Sequence, residues 1–488
     1  MTEDIGITGY GCYLPRYRLA REEIAKANAW FNSALKGLGR GERTVASWDE
    51  DATTMAVEAA RAILRRGPGA PVGVVCLAST THPFADRQNA GVLAGALDLG
   101  DAETLDAGGG LRAGTTALRL AFDTAAARGL SVLVSAADKR KSQVASVQEM
   151  RYGDGAAAMR VGPGGVLARL RGSATLARDF NAQFRASDHD YDYAWEERWI
   201  RDEGLLKLLP EVAARALERA GVAGTDVAHF CMPSMLARVP AMVAKRLGIA
   251  ESAVRDPLLA SVGDTGAAHP LLMLAQALDA AAPGDLILVT VFGSGVDALV
   301  FEATEALPAW RSAHLGEAGA VGAMLARAKP LGVYQKMLAF NEAIALDHGM
   351  RAEVDKGSPM TLLNRKQEMT LALHGGRCRQ CGTLQFPRNR YCVNPDCNAL
   401  DSQDEHRFAE TPATIMSYTA DLLTYTPNPP AFYGMIEFDG GGRMMADITD
   451  IDADRIAVGL PVEMTFRIKD IDKRRGFVKY FWKAVPRG

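Results

Sequence analysis

Residues Asp106–Leu118 read DAGGGLRAGTTAL. The order is a strand end, three glycines, and a helix that the pattern opens at Thr115 or Thr116. A strand that turns through glycine into a helix aims the positive end of that helix, and its unpaired N–H groups, at whatever anion sits on the turn. Catalysts built this way carry a nucleophile at the tip. Here Gly110 and Leu111 stand there, so backbone donors are present without a Cys, Ser or Asp to use them.

The surroundings of this turn alternate strand and helix over the first 330 or so residues. GITGYGCYLP, VGVVCLAS and SVLVSAAD have the apolar runs of buried strands, and DATTMAVEAARAILRR has helical spacing, which gives an α/β layered fold. The pattern then repeats. EAARAIL (58–64) matches VAARALE (212–218), VGVVCLA (72–78) matches VAHFCMP (227–233), and AAARGLSVLVSAAD (125–138) matches AAAPGDLILVTVFG (280–293). Matches in one order at nearly one offset indicate a duplicated half-domain.

A chain of 488 residues, 48% hydrophobic, is long enough for two or three domains. Its net charge of -3, without long charged runs, offers no electrostatic footprint for nucleic acid or an anionic membrane. The N-terminus MTEDIGITGYG lacks a signal-peptide pattern, and no segment has the length and apolarity of a membrane span, so a cytoplasmic protein is expected.

Four of the seven cysteines, Cys378, Cys381, Cys392 and Cys397, fall in CRQCGTLQFPRNRYCVNPDC. The spacing C-x2-C-x10-C-x4-C sets two knuckles around a tetrahedral Zn²⁺, and four thiolates leave no open position for water, so the expected zinc is structural. Beyond it, short alternating runs such as AFYGMIEFDGGGRMMADITD and FVKYFWKAV predict a small OB-like barrel. That segment lacks the basic stripe with interleaved aromatics that nucleic acid would require.

Together, GITGYGCYLPRYRL, WDEDATTMAVEAARAIL, ASTTHPFA, RAGTTAL and PGDLILVTVFGSG resemble the thiolase superfamily, and within it HMG-CoA synthase of the archaeal type. The tail from about Arg377 to Arg487 resembles the zinc-ribbon and OB-fold proteins that accompany such enzymes, here fused. The resemblance implies a duplicated, five-layered thiolase-like α/β fold with a C-terminal zinc ribbon and OB-like barrel. The expected boundaries are 1–170 and 171–330 for the two halves, 331–376 for a helical linker, 377–405 for the ribbon and 406–488 for the barrel. It also implies an acyl-CoA substrate and a homodimer.

The same resemblance implies four catalytic positions, and the family's side chain is absent from each. Leu111 falls at the nucleophilic cysteine, Thr80 at the glutamate, Cys231 at the histidine and Asp264 at the asparagine. Without the nucleophile, a thioester enolate held at the turn by N–H groups of Gly110 and Leu111 remains accessible chemistry. Steroid side-chain aldolases resemble this design, so the reading is aldol cleavage, or the reverse addition, of a 3-hydroxyacyl-CoA. Two alternatives stay open: a condensing acyltransferase using Cys231 or another cysteine, and a non-catalytic scaffold for a thiolase partner.

Candidates for the acid/base follow from residue type. Asp264 is expected to have a pKa raised by burial, or else to cap the turn VGDTG. Cys231 is either a polarising thiol or a buried structural one. His269 faces the same cavity or caps its helix, and Tyr152 donates to the β-oxygen or packs in the core. Thr80 can position but cannot act as a base, and His82 lies beside it near the cavity mouth. Residues 183–208, aromatic and acidic, suggest a cap over the acyl pocket or a subunit contact.

Overall fold

The computed structural model describes residues 4–65, 70–347 and 359–487. Two compact units emerge, the first from Met1–Ser47, Asp51–Leu93 and Asp101–Met337, the second from Trp48–Glu50, Ala94–Gly100 and Leu338–Gly488.

In the first unit, β1 (Ile5–Tyr13) is followed by α1 (Ala52–Leu64), β2 (Val72–Ala78), β3 (Glu103–Ala107), α2 (Ala113–Arg128), β4 (Ser131–Asp138) and β5 (Gly155–Pro163). The second half repeats the order with β6 (Ala168–Ala177), α3 (Leu209–Ala220), β7 (Val227–Cys231), α4 (His269–Ala280), β8 (Leu286–Phe292) and β9 (Gly295–Ala303). The strands form one sheet in the order β7-β8-β9-β6-β1-β5-β4-β2-β3, and the two halves meet at Ile7 opposite Ala168. Where β3 pairs with β2 in the first half, the second half has, among the described residues, the single bridge Phe230–Val254.

Each half carries one outer helix, α1 or α3, while α2 and α4 pack together at the centre, which is the five-layered arrangement. Close approach of the central helices depends on Gly114, where a methyl group would strike the Ala267 carbonyl. α1 starts with a reciprocal cap: the Asp51 carboxylate accepts from Thr54 N–H, and the Thr54 hydroxyl accepts from Asp51 N–H.

The segment 183–208 forms a two-residue hairpin, Gln183–Phe184 against Tyr193–Ala194, and then a π-helical run, Ile200–Leu208, that leads into α3. Short helices occupy Tyr334–Phe340 and Met360–Arg365 of the expected linker; its residues 348–358 lie outside the described residues.

In the second unit, β10 (His374–Cys378) pairs antiparallel with β11 (Leu384–Gln385) and β12 (Gln403–Arg407). A closed barrel follows from β13 (Ala413–Asp421), β14 (Ala431–Phe438), β15 (Arg443–Ile448), β16 (Pro461–Asp472) and β17 (Phe477–Pro486). Trp48–Glu50 belongs to this unit. Lys483 bonds the Asp49 carboxylate at 2.9 Å, with its ammonium 4.3 Å from the Trp48 ring centroid, and Arg467 pairs with Glu50 at 3.2 Å and Asp450 at 3.0 Å. All four ions of the Asp49–Lys483 and Glu50–Arg467 pairs are buried, so each charge depends on its partner.

Candidate active site

The glycine turn lies at the C-terminal ends of the parallel strands β2, β3 and β4, the usual location of ligand crevices in such sheets. Gly109 (φ 84°) and Gly110 (φ 156°) make conformations that other residues avoid, and Ala113 N–H then bonds Gly110 O at 3.0 Å. α2 therefore begins at Ala113, one half-turn earlier than the sequence pattern indicates. The polar threonines that resemble a cap are already inside the helix, and both donate to Asp297. The helix's first N–H groups, at Leu111 and Arg112, precede its internal ladder.

The second half closes on this turn. A methyl group at Gly293 would stand 3.0 Å from Leu111 Cβ and 3.2 Å from Leu111 N. Ser294 adopts φ 50° and donates its hydroxyl to Asn181. Arg112 Nε donates to Gly293 O at 2.6 Å and Nη2 to Ser294 O at 2.8 Å, while Nη1 reaches Asp297 at 2.7 Å.

On the other side, the loop after β2 lies against the turn: Ser79 N–H donates to Ala107 O, and Asp138 at the end of β4 fixes the loop's shape. Asp138 accepts from the hydroxyls of Ser79, Thr80 and Thr81, and from the N–H groups of Thr80 and Ala267. His82 is held with Nε2 3.1 Å from Ala107 O, a pairing in which Nε2 donates. Its Nδ1 is buried and has no hydrogen-bond partner. A methyl group at Gly108 would lie 3.8 Å from the His82 ring.

Thr80, Tyr152 and Asp264 belong to one connected polar group. Arg140 pairs with the Asp264 carboxylate at 3.0 Å and lies 3.8 Å from the Tyr152 ring centroid. The Tyr152 hydroxyl donates to Gln183 at 2.8 Å or Asp192 at 3.0 Å, both on the hairpin. Arg185 then joins Asp192, at 2.8 Å, to the Thr80 carbonyl. The hairpin's polar side thus packs onto the candidate residues, while Phe184, Tyr193 and Trp195 cluster on its exposed side.

One expectation needs correction. Burial does push the Asp264 carboxyl upward, but Arg140 and the Gly266 N–H outweigh it and hold the pKa below the ordinary value, opposite to the shift expected. Asp264 also accepts from Gly266 N–H at 2.8 Å, the turn cap. His269 is 1% exposed; its Nδ1 accepts from Thr265 N–H at 3.0 Å and its Nε2 lies 2.8 Å from Pro257 O, so both nitrogens are committed. Burial lowers its pKa, and the ring is neutral. Cys231 is fully buried with Sγ 3.4 Å from Met273 O, and burial pushes its thiol up to about 12. Cys76 is likewise buried and raised to about 12. Burial raises the Tyr152 phenol as well, leaving it a hydrogen-bond donor at neutral pH.

From Gly108–Gly110 a cavity of about 300 Å³ runs between the sheet and α2, past Cys76, Leu105, Ala117 and Leu120. In the tail, the Sγ atoms of Cys378, Cys381, Cys392 and Cys397 lie within 4.8 Å of one another, with Cys378 to Cys397 at 3.8 Å and Cys381 to Cys392 at 3.4 Å. Tetrahedral thiolates about 2.3 Å from zinc would be about 3.8 Å apart, so the cluster fits that ion.

The structure adds Asp138, Arg140, Arg112, Asp192 and Asp297, which sequence reasoning missed. Asp138 and Arg140 had a signal, since ADKR closes a strand at the ligand-binding end of the sheet. Arg112 and Asp297 meet across 185 residues, and Asp192 reaches Tyr152 across 40, so these links leave no local pattern.

Residues 407–467 match the family described as ChsH2, C-terminal OB-fold domain, and residues 217–302 match the C-terminal domain of 3-oxoacyl-[acyl-carrier-protein] synthase III. Hydroxymethylglutaryl-CoA synthase of Archaeoglobus fulgidus is 31% identical over 315 residues, 62% of this chain and 90% of that protein. The Aeropyrum pernix enzyme of the same name is 31% identical over 310 residues, covering 62% and 86%. Among solved structures, MvaS in complex with 3-hydroxy-3-methylglutaryl coenzyme A aligns with TM-score 0.57 at 18% identity, covering 70% of this chain and 92% of that one. The Aquifex aeolicus 3-oxoacyl-[acyl-carrier-protein] synthase III aligns with TM-score 0.54 at 22% identity, covering 61% and 99%. The duplicated sheet with a glycine turn at the head of a central helix is that of the thiolase-fold condensing enzymes. Within that class, this chain belongs to the hydroxymethylglutaryl-CoA synthase family, with an OB-fold tail fused behind it.

Proposed function

We propose that this protein makes or breaks a carbon–carbon bond next to a CoA thioester through an enolate, without an acyl-cysteine intermediate. One observation carries the reading: Leu111 occupies the elbow, and the two thiols that could replace a nucleophile, Cys76 and Cys231, are buried with pKa values near 12. A thiol so protonated is a poor nucleophile at neutral pH.

In the cleavage direction, His82 Nδ1 takes the proton from the β-hydroxyl of a 3-hydroxyacyl-CoA. The β-carbonyl forms, the Cα–Cβ bond breaks, and its electron pair passes into the thioester. The enolate oxygen is received by N–H groups at Gly110–Leu111, supported by the α2 dipole. The imidazolium returns its proton to Cα, releasing a shortened acyl-CoA and an aldehyde or ketone. Thr80, Tyr152 and Asp264 act as positioning residues around Asp138 and Arg140. The apolar cavity beside the turn suits an acyl group.

The names of its relatives favour a second reading, a synthase-type condensing acyltransferase. One experiment separates the two: the protein is incubated with acyl-CoA and, separately, with a panel of 3-hydroxyacyl-CoAs. Aldehyde or ketone release with no covalent mass increment supports the enolate reading. An acyl adduct on Cys76 or Cys231 supports the acyltransferase.

A further inference from the structure

Next to the cysteine cluster, but sharing no residue with it, the second unit gathers a different set of ligating groups. Glu368, His374 and Glu405 each offer one ligand atom, and these atoms lie within 4.8 Å of one another. His374 opens β10 opposite Arg407 of β12, and Glu405 lies two positions before Arg407 on that strand, so the His374 and Glu405 side chains are diagonal neighbours on one sheet face. Glu368 starts the π-helical turn Glu368–Ala372, which delivers the chain to β10.

The histidine carries the argument. Its side chain is 13% exposed, and Nε2 lies 3.0 Å from the Asp98 carboxylate, which fixes the proton on Nε2. The lone pair of Nδ1 then points the other way. That nitrogen is fully buried, has no hydrogen-bond partner, and stands 3.8 Å from Glu405 Oε2. Nδ1 and Glu405 Oε2 thus face the same space, and an ionised carboxylate has no proton to donate to that nitrogen. A cation between them is a partner for both.

The outer contacts fit such an ion. Imidazole ligands are commonly oriented by a carboxylate on the far nitrogen, which is the place of Asp98. Arg388 holds Glu405 Oε1 at 2.6 Å, leaving Oε2 to face the site. The three groups border a cavity of about 980 Å³ that leaves room for water in the remaining coordination positions. One nitrogen and two oxygens suit a divalent ion such as Mn²⁺ or Zn²⁺.

We propose that Glu368, His374 and Glu405 bind a divalent metal ion, with Asp98 holding the imidazole behind it. This ion is additional to the one on the four cysteines. The test uses the full chain loaded with zinc at the cysteine cluster, titrated with Mn²⁺ and followed by the loss of the free-ion electron paramagnetic resonance signal. One further Mn²⁺ per chain is expected. Glu368→Gln and His374→Gln should each weaken it at least tenfold, while zinc content and the metal-free melting curve of the exposed Glu368→Gln variant stay unchanged. No Mn²⁺ binding, or binding unchanged in Glu368→Gln and in whichever His374 variant folds, overturns the proposal. An imidazolium neutralising the carboxylates by itself gives the first of those results.

Discussion

Arg112 and Asp297 are 185 residues apart and joined at 2.7 Å, with the carboxylate side chain 3% exposed. The remaining capacity of Asp297 goes to the hydroxyls of Thr115, Thr116 and Thr175, and the other guanidinium nitrogens of Arg112 go to the carbonyls of Gly293 and Ser294. The pair therefore locks the glycine turn of one half against the β8–β9 turn of the other. Removing one member leaves the other's charge without its partner, a loss of about 3–5 kcal/mol for buried pairs. Asp297→Ala should lower the urea midpoint accordingly, and Arg112→Lys, which loses the forked geometry, should reduce activity more than stability. Equal midpoints for Asp297→Ala and the parent would refute the lock.

His82→Gln tests the proton carrier. The variant keeps a polar side chain against the turn but has no titrating nitrogen, so the turnover rate should fall by about 10² to 10⁴, the usual worth of a general base. Substrate affinity, measured by calorimetry, should change little. A full turnover rate in His82→Gln would remove this residue from the mechanism.

The cysteine cluster should contain one zinc per chain by elemental analysis. Cys378→Ser should lose the metal and, because metal binding contributes folding free energy, expose the ribbon to proteolysis between Arg377 and Arg407. Well under one zinc in intact protein contradicts this.

A homodimer through the thiolase-like halves is expected, since an internal pseudo-twofold commonly extends to a symmetric pair. β3 ends the sheet, and Leu105 on it and Leu120 on α2 are partly exposed. Light scattering at micromolar concentration should give twice the chain mass, and Leu105→Lys should shift it toward one. A monomeric parent protein rules the dimer out.

His269 should make the fold acid-sensitive. Its pKa is lowered by burial, so the unfolded chain binds the proton more readily than the folded one. The contribution is fully present above the unfolded value of about 6.5 and is lost as pH falls from there through the lower folded value. Denaturation between pH 7 and 5 should therefore show a steeper loss in the parent than in His269→Asn. Parallel losses would mean that this ring does not titrate on unfolding.

What the sequence made legible was periodic or local. The duplicated half-domain is visible because strands and helices recur at one spacing, and the cysteine knuckles because ligands to one ion sit close along the chain. The candidate site was legible only in its parts. Thr80, Tyr152 and Asp264 carry side chains suited to chemistry, but what each does depends on neighbours distant in sequence, and the sign of the Asp264 shift reverses when Arg140 arrives. His269 looked available because its partners, the Thr265 N–H and the Pro257 carbonyl, are backbone groups, which composition cannot reveal.

The inclusion of Trp48–Glu50 in the second unit bears on how the chain is made. Asp49 leaves the ribosome 434 residues before Lys483, its partner in a fully buried pair. The barrel consequently cannot be completed until β17 has been made, whereas the first half-domain has its whole sequence early. Loop closure over that span is slow relative to local pairing, so the ordering of this unit should be the last event in folding. A fragment made from the tail alone would bury Lys483 without its carboxylate.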